Sequence, residues 1–289
     1  MPRPTIDPEH TARVANALLE WYSANKRDLP WRRTRDSYAI LVAEVMLQQT
    51  QVDRVIPKWH AWLERFPGLT DLAQASRADA IRAWQGLGYN LRALRLHAVA
   101  CEVVAQHGGT LPSSVAGLMA LKGIGRYTAG AIACFAYDQP VAMVDTNIRR
   151  VLSRVFRVEP SEVEALSEQV VPFEAAYAWN QALMDVGAML CKPKRALCLA
   201  CPLVGECTGP QPSASLASKS AGEFRGSRRF YRGRLVDALR GRPSGMSLRK
   251  LTVAVGGAAE KQDMVALVQQ LVTDGLLVVD VAQNVRLSE

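Results

Sequence analysis

The sequence predicts an all-α body followed by a small α+β module. Apolar residues recur at helical spacing from residue 10 to about 207, and strand-like alternation is absent there. A stretch rich in Pro, Ser, Ala and Gly, from Gly209 to Gly226, separates that body from a tail patterned as helices and a hairpin. The 289 residues suit about two domains, and 49% hydrophobic with 21% charged residues excludes wholesale disorder. No apolar run approaches the ~20 residues of a membrane span, and none follows a basic leader, which speaks against a secreted or membrane protein.

In chain order, a helix over 11–23 places Val14, Leu18 and Tyr22 on one stripe. Asp36 or Ser37 is the cap of a second helix over 38–47. Gly, Pro and Asp punctuation then delimits helices over 52–66, 77–86, 91–107, 115–121, 127–137, 147–156, 163–170 and 173–190. Residues 1–209 form the body, with a six-helix lobe at about 34–137 and a second lobe from the N-terminus plus 138–209. A linker is expected at 210–228. In 229–289, amphipathic helices at 230–240, 248–254 and 262–273 precede strands at 276–279 and 285–287, a winged-helix-like order.

The formal charge is +8, which points to a polyanionic partner. It is unevenly placed: residues 1–209 carry +3 and residues 210–289 carry +5. Arg225, Arg228, Arg229, Arg232 and Arg234 lie within ten residues with no acid among them, either a solvated linker or a phosphate-tracking arm.

Four of the six cysteines, Cys191, Cys198, Cys201 and Cys207, crowd into one segment. A chain this long needs no disulfide staples, so the cluster reads as metal ligation in a reducing compartment. Four thiolates suit an iron–sulfur cluster or a structural zinc ion, and spacing leaves both open. Lys192, Lys194 and Arg195 would offset the ligands' charge.

Leu121-Lys122-Gly123-Ile124-Gly125-Arg126-Tyr127 is a second signal. Two glycines permit a tight turn whose amides, at the start of a helix, bind phosphate, although Gly-x-Gly also serves ordinary helix turns. Twenty residues on, Asp145 stands where a helix cap belongs. Glu44 interrupts the apolar run 38–47, so it is either buried or lines a cleft. Burial would favour the protonated form, fit for a general acid.

Together these residues resemble the helix–hairpin–helix, iron–sulfur DNA glycosylases, and within them the MutY-type adenine glycosylases. The resemblance spans residues 11–207. It rests on Leu29-Pro30-Trp31-Arg32, Ala43-Glu44-Val45-Met46-Leu47-Gln48-Gln49-Thr50, Gly86-Leu87-Gly88-Tyr89, the Gly123/Gly125 hairpin, Val144-Asp145-Thr146-Asn147 and Trp179-Asn180-Gln181-Ala182 through Asp185, all in family order. It implies a two-lobed helix–hairpin–helix fold and a [4Fe–4S] cluster on the four cysteines.

It also implies a base-excision repair enzyme that hydrolyses the N-glycosidic bond of adenine mispaired with 8-oxoguanine or guanine. Glu44 would protonate the leaving adenine and Asp145 would stabilise the oxocarbenium sugar, the two-carboxylate logic of glycoside hydrolysis. Tyr127 replaces the Schiff-base lysine of bifunctional relatives, so strand cleavage should be weak or absent. Asn147 would hold Asp145 or the attacking water. Arg32 and Gln181 would contact the extruded adenine, while Gln48, Gln49 and Tyr89 would probe the opposite base. Lys122, Gly123, Gly125 and Arg126 would bind backbone phosphate.

The expected partner is double-stranded DNA with a mismatch or oxidised guanine, bound by a monomer in the cytoplasm at the nucleoid, with no membrane involvement. The chain leaves no room for the NUDIX-like domain common in this group, and 229–289 stand in its place. Two other readings compete: a mismatch thymine or uracil glycosylase, and a non-catalytic iron–sulfur DNA-binding regulator.

Overall fold

The computed structural model describes residues 6–209, 224–255 and 264–289. The expected linker at 210–228 falls largely outside these residues, as does the start of the helix expected at 262. The described chain is helical except for one small C-terminal sheet.

Helix α1 (Pro8–Asn25) begins at Asp7, whose carboxylate accepts from the Glu9 amide, with Pro8 at the position where a missing N–H costs nothing. Next come α2 (Ser37–Leu47), α3 (Val52–Arg65), α4 (Leu69–Gln74), α5 (Arg77–Ala83) and α6 (Leu91–His107). The expected Asp36 cap is present, its Oδ1 accepting from Ala39 N at 2.6 Å. The helix α4 has no counterpart in the sequence reading. Its cap position is Gly68, which offers no side-chain oxygen, and Asp71 instead reaches back to the Gly68 amide at 2.9 Å.

The body continues with α7 (Val115–Ala120), α8 (Arg126–Tyr137), α9 (Thr146–Phe156), α10 (Val163–Val170) and α11 (Ala176–Met189). The helix expected over 173–190 starts three residues later, because 173–175 form a 3₁₀ turn after Pro172. The C-terminal residues form α12 (Arg228–Leu239), strand β1 (Met246–Ser247), α13 (Leu248–Val255), α14 (Met264–Thr273), β2 (Leu277–Val279) and β3 (Asn284–Leu287). The strands pair antiparallel in the order β1-β3-β2, with Val279 opposite Val285 and Met246 opposite Val285 on its other edge. The three helices and the β2–β3 hairpin follow the order that the sequence suggested, whereas the two-residue strand β1 was not expected.

The chain divides into two compact units. Among the described residues, the first contains 6–41, 112–120 and 124–209. Its core joins α1, α9, α10 and α11 through Val14, Leu18, Val151, Leu152, Leu166, Trp179 and Leu183. The second contains, among the described residues, 42–111, 121–123, 224–255 and 264–289. Here the C-terminal module shares a core with the body: Ala78 and Ile81 of α5 and Leu94 of α6 pack with Tyr231, Leu235, Leu251, Leu267 and Leu277. Arg77 and Arg82 reinforce that junction by donating to the carbonyls of Gly275 and Arg240 at 3.0 and 3.1 Å.

Candidate active site and cysteine centre

In the first unit, Asp145 occupies the N-cap of α9. Its Oδ1 accepts from Ile148 N at 2.7 Å, and its Oδ2 accepts from Asn147 Nδ2 at 3.1 Å. Both the cap reading and the pairing with Asn147 are therefore realised in one carboxylate. Asn147 Oδ1 in turn accepts from Arg150 Nη2 at 2.7 Å. Arg150 also donates to the carbonyls of Gly187 and Cys191, at 2.7 and 2.6 Å. A chain of hydrogen bonds thus runs from Asp145 to the first residue of the cysteine segment.

Gly187 makes this geometry possible. A Cβ there would lie 2.6 Å from Asn147 Cβ and 3.2 Å from its Cα, so α11 approaches the start of α9 closely only because residue 187 has no side chain. Tyr127, in the first turn of α8, donates its hydroxyl to Met184 Sδ of α11 at 3.4 Å.

Gln181 lies buried on α11, one turn before Asp185. Asp185 is wholly buried and binds two arginines. Arg32 meets it with Nη1 and Nη2 at 2.8 and 2.7 Å, and Arg27 Nε lies at 2.6 Å. Arg32, expected to contact the base, therefore commits both terminal nitrogens to this pair, while its Nε is buried with no hydrogen-bond partner. Burial alone would raise the Asp185 pKa, but the hydrogen bonds and charges of Arg32 and Arg27 outweigh it and hold the carboxyl below its usual range.

The hairpin between α7 and α8 turns at Gly123, where φ is +109°, a conformation that L side chains rarely adopt. Gly125 caps α8 without a side chain, leaving the first amides of that helix uncapped by a side chain and suited to a phosphate. Lys122 is exposed, and its amide donates to Glu102 Oε2 at 3.2 Å. Arg126 is exposed too and pairs with Glu168. So open an ion pair contributes little and yields readily to a phosphate.

In the second unit, Glu44 is 7% exposed on a helix buried nearly all round. The turn after α2 presents Gln48 and Gln49 to solvent, Gln49 with φ +55°. A residue that the sequence reading did not single out shapes this turn. Arg92 of α6 donates Nη1 to the carbonyls of Val45, Met46 and Gln48 at 2.9, 3.0 and 2.6 Å. Its Nη2 reaches Thr50 Oγ1 at 3.1 Å and the Leu87 carbonyl at 3.0 Å.

One guanidinium thus caps α2 and ties the glutamine turn to the Gly86–Tyr89 turn. Burial lowers the Arg92 pKa to about 10, which leaves it charged at neutral pH. Arg92→Met keeps the apolar stem but orphans several carbonyls. It should cost about 2–3 kcal/mol in a denaturant melt and weaken DNA binding; an unchanged midpoint would refute the clamp.

The four cysteines are gathered in the first unit. Cys201 and Cys207 thiols are raised, first by burial and then by the neighbouring cysteines, so the four lie within electrostatic reach of one another. Arg154 donates Nη1 to Cys191 Sγ at 3.2 Å, a cation placed where thiolate charge would develop. Among the described residues, no three His, Cys, Asp or Glu side chains are close enough together to hold a metal ion. An all-thiol donor set with a cation beside it fits the cluster chemistry.

This fold and these carboxylates define a class: residues 42–173 match the HhH-GPD superfamily of base excision DNA repair proteins. In three dimensions the chain is similar to a thermostable thymine-DNA glycosylase, with TM-score 0.66, 28% identity and coverage of 69% of this chain and 96% of that one. The fold is also that of endonuclease III trapped on DNA, with TM-score 0.62 at 20% identity, covering 71% of this chain and 97% of that one. An adenine DNA glycosylase of Mycolicibacterium smegmatis is 37% identical over 269 residues, 90% of this chain and 91% of its own length. The human adenine DNA glycosylase is 41% identical over 228 residues, 73% of this chain but 42% of the human protein. The chain belongs to the adenine DNA glycosylase family.

Proposed function

We propose that this chain is a monofunctional glycosylase that releases adenine mispaired with 8-oxoguanine or guanine and leaves an abasic site. The observation that carries the reading is Asp145, an ionisable carboxylate held by two donors at the mouth of a helix, in a chain whose other key carboxylate, Glu44, is buried. Glu44 acts as the acid that protonates the leaving base. Asp145 stabilises positive charge on the sugar, and Asn147 fixes its orientation. Tyr127 has no amine, so it forms no imine with the sugar and the strand stays intact until alkali is added. Gln181 serves the extruded base while Arg32 stays with Asp185, and Gln48, Gln49 and Tyr89 serve its former partner. Lys122, Gly123, Gly125 and Arg126 hold a backbone phosphate of the duplex.

Cys191, Cys198, Cys201 and Cys207 would hold a [4Fe–4S] cluster. When bound, it would staple the last turn of the first unit and supply a local charge, while the reaction itself is left to Glu44 and Asp145. Among the described residues no helix is long and apolar enough to cross a membrane.

The test is a panel of duplexes with A, T or U opposite 8-oxoguanine or guanine, followed by alkali. Breaks at adenine alone are expected, at least tenfold faster than at any pyrimidine. Faster release of thymine or uracil would favour the pyrimidine reading, and binding without release of any base would favour a non-catalytic regulator.

A further inference from the structure

Asn180, on α11, is a polar side chain in the interior of the first unit, only 1% exposed. Its carboxamide is engaged at both ends. Nδ2 donates to the carbonyl of Ala176, one turn back on the same helix, and to that of Val141, each at 2.9 Å. Oδ1 accepts from Met143 N at 3.4 Å. The orientation of the amide follows from its chemistry, since only the nitrogen can face two carbonyls and only the oxygen can face an N–H.

Val141 and Met143 belong to the 138–145 connection between α8 and α9, which has no regular secondary structure. A buried carbonyl and a buried amide two residues apart are groups that a neighbouring strand would ordinarily satisfy, and here one side chain does so. The same connection presses on α8. A Cβ at Gly130 would lie 3.3 Å from Met143 Cγ and 3.6 Å from the Ala142 carbonyl, and Met143 is itself buried. The connection is thus held against both α8 and α11 two residues before it delivers Asp145 to the head of α9.

Asp145 therefore lies between two anchors on one helix. Asn180 holds residues 141–143, and further along α11 Gly187 admits Asn147, whose Nδ2 donates to the Asp145 carboxylate. Gln181, read above as the contact of the extruded base, is the neighbour of Asn180 on that helix. An alanine at 180 would leave the Val141 carbonyl and the Met143 amide without these partners, and the segment would be free to settle elsewhere.

We propose that Asn180 is a positioning residue for base release: by pairing with Val141 and Met143 it fixes the approach of the chain to Asp145, and with it the place of that carboxylate relative to Gln181. The inference rests on the reading of Asp145 as the group that stabilises the sugar.

The test is a double-mutant cycle on the full-length, cluster-loaded chain, read as single-turnover release from a duplex with adenine opposite 8-oxoguanine. Asn180→Ala should slow release by about 10- to 100-fold, because a misplacement near 1 Å forfeits up to about 10²-fold. Its Kd for a duplex with an abasic-site analogue should be unchanged, which reports a folded chain that still binds DNA. In the Asp145→Asn background the same substitution should cost nothing further, since the charge it positions is gone. Deuterium exchange at the Met143 amide should quicken at least about tenfold in Asn180→Ala, while amides in α1 keep their rates. Should Asn180→Ala fold poorly, Asn180→Asp keeps the volume and the acceptor for Met143 N but loses the donor to Val141, and the same cycle applies.

An undiminished rate in both Asn180→Ala and Asn180→Asp would overturn the proposal. So would an equal loss with and without the Asp145 carboxylate, which would mark a purely structural asparagine and leave the adenine activity standing. Release of thymine or uracil in place of adenine would discard the adenine reading alone, because the cycle then runs on that base with the same sugar. Release of no base by wild type would overturn both.

Discussion

Asp145→Asn should lower single-turnover adenine release by at least about 10³-fold while the chain melts within about 1 kcal/mol of wild type. Asparagine is as good an N-cap as aspartate, so the bond from Ile148 N survives and α9 still starts at Thr146. What disappears is the negative charge, and a preorganised charge beside a developing cation is typically the largest single contribution to such a rate. Asn147 Nδ2 also loses its carboxylate acceptor, so Asp145→Glu, which keeps the charge but shifts it by a methylene, should recover only part of the activity. Glu44→Gln should cost about 10²–10⁴-fold, the worth of a general acid. Full activity in Asp145→Asn would remove the sugar-stabilising role, and full activity in Glu44→Gln would remove the proton donor.

Asp185→Ala should be the most destabilising single change in the first unit, at about 3–5 kcal/mol, with a folded fraction that falls sharply on mild heating. The carboxylate is inaccessible to water and neutralises two cations, one of which, Arg32, is itself buried. Removing it strands a guanidinium that cannot lose its proton, with Nε already unpartnered. The pH dependence has a definite sign. Because the folded pKa of Asp185 lies below the ordinary 3.8, its contribution is complete above about pH 3.8 and is lost as pH falls through the folded value. Wild type should therefore lose stability more steeply than Asp185→Ala in acid below pH 4, and the two melting curves should converge there. Parallel curves down to the acid transition would show that the pair contributes nothing.

Much of the fold was legible because long amphipathic helices announce themselves: α1, α3 and α9 each bury a clean stripe at helical spacing. The helix α4 escaped because its cap position is a glycine and the capping carboxylate, Asp71, lies after it, so no Ser, Thr, Asp or Asn marks its start. Glu44 was readable as buried because its neighbours are uniformly apolar. Arg92 and Asp185 were not, although Asp185 is a lone charge in an apolar stretch of the same kind. Their meaning depends on partners 42–47 and 153–158 residues away in the chain, which no local pattern reveals. The arginine cluster at 225–234 read as either a solvated linker or a phosphate-tracking arm. The structure engages Arg229 with Tyr89 and Arg232 with Asp274, so part of that charge is built into a folded surface.

The core shared by α5, α6 and the C-terminal module limits how such a chain can diverge. Ala78, Ile81 and Leu94 carry apolar side chains matched to Leu235, Leu267 and Leu277. A lineage that exchanged this tail for another module would inherit a greasy scar on two helices of its repair domain, and would have to resurface them in the same step. Gradual drift in the tail is open to selection; wholesale replacement requires several simultaneous substitutions elsewhere.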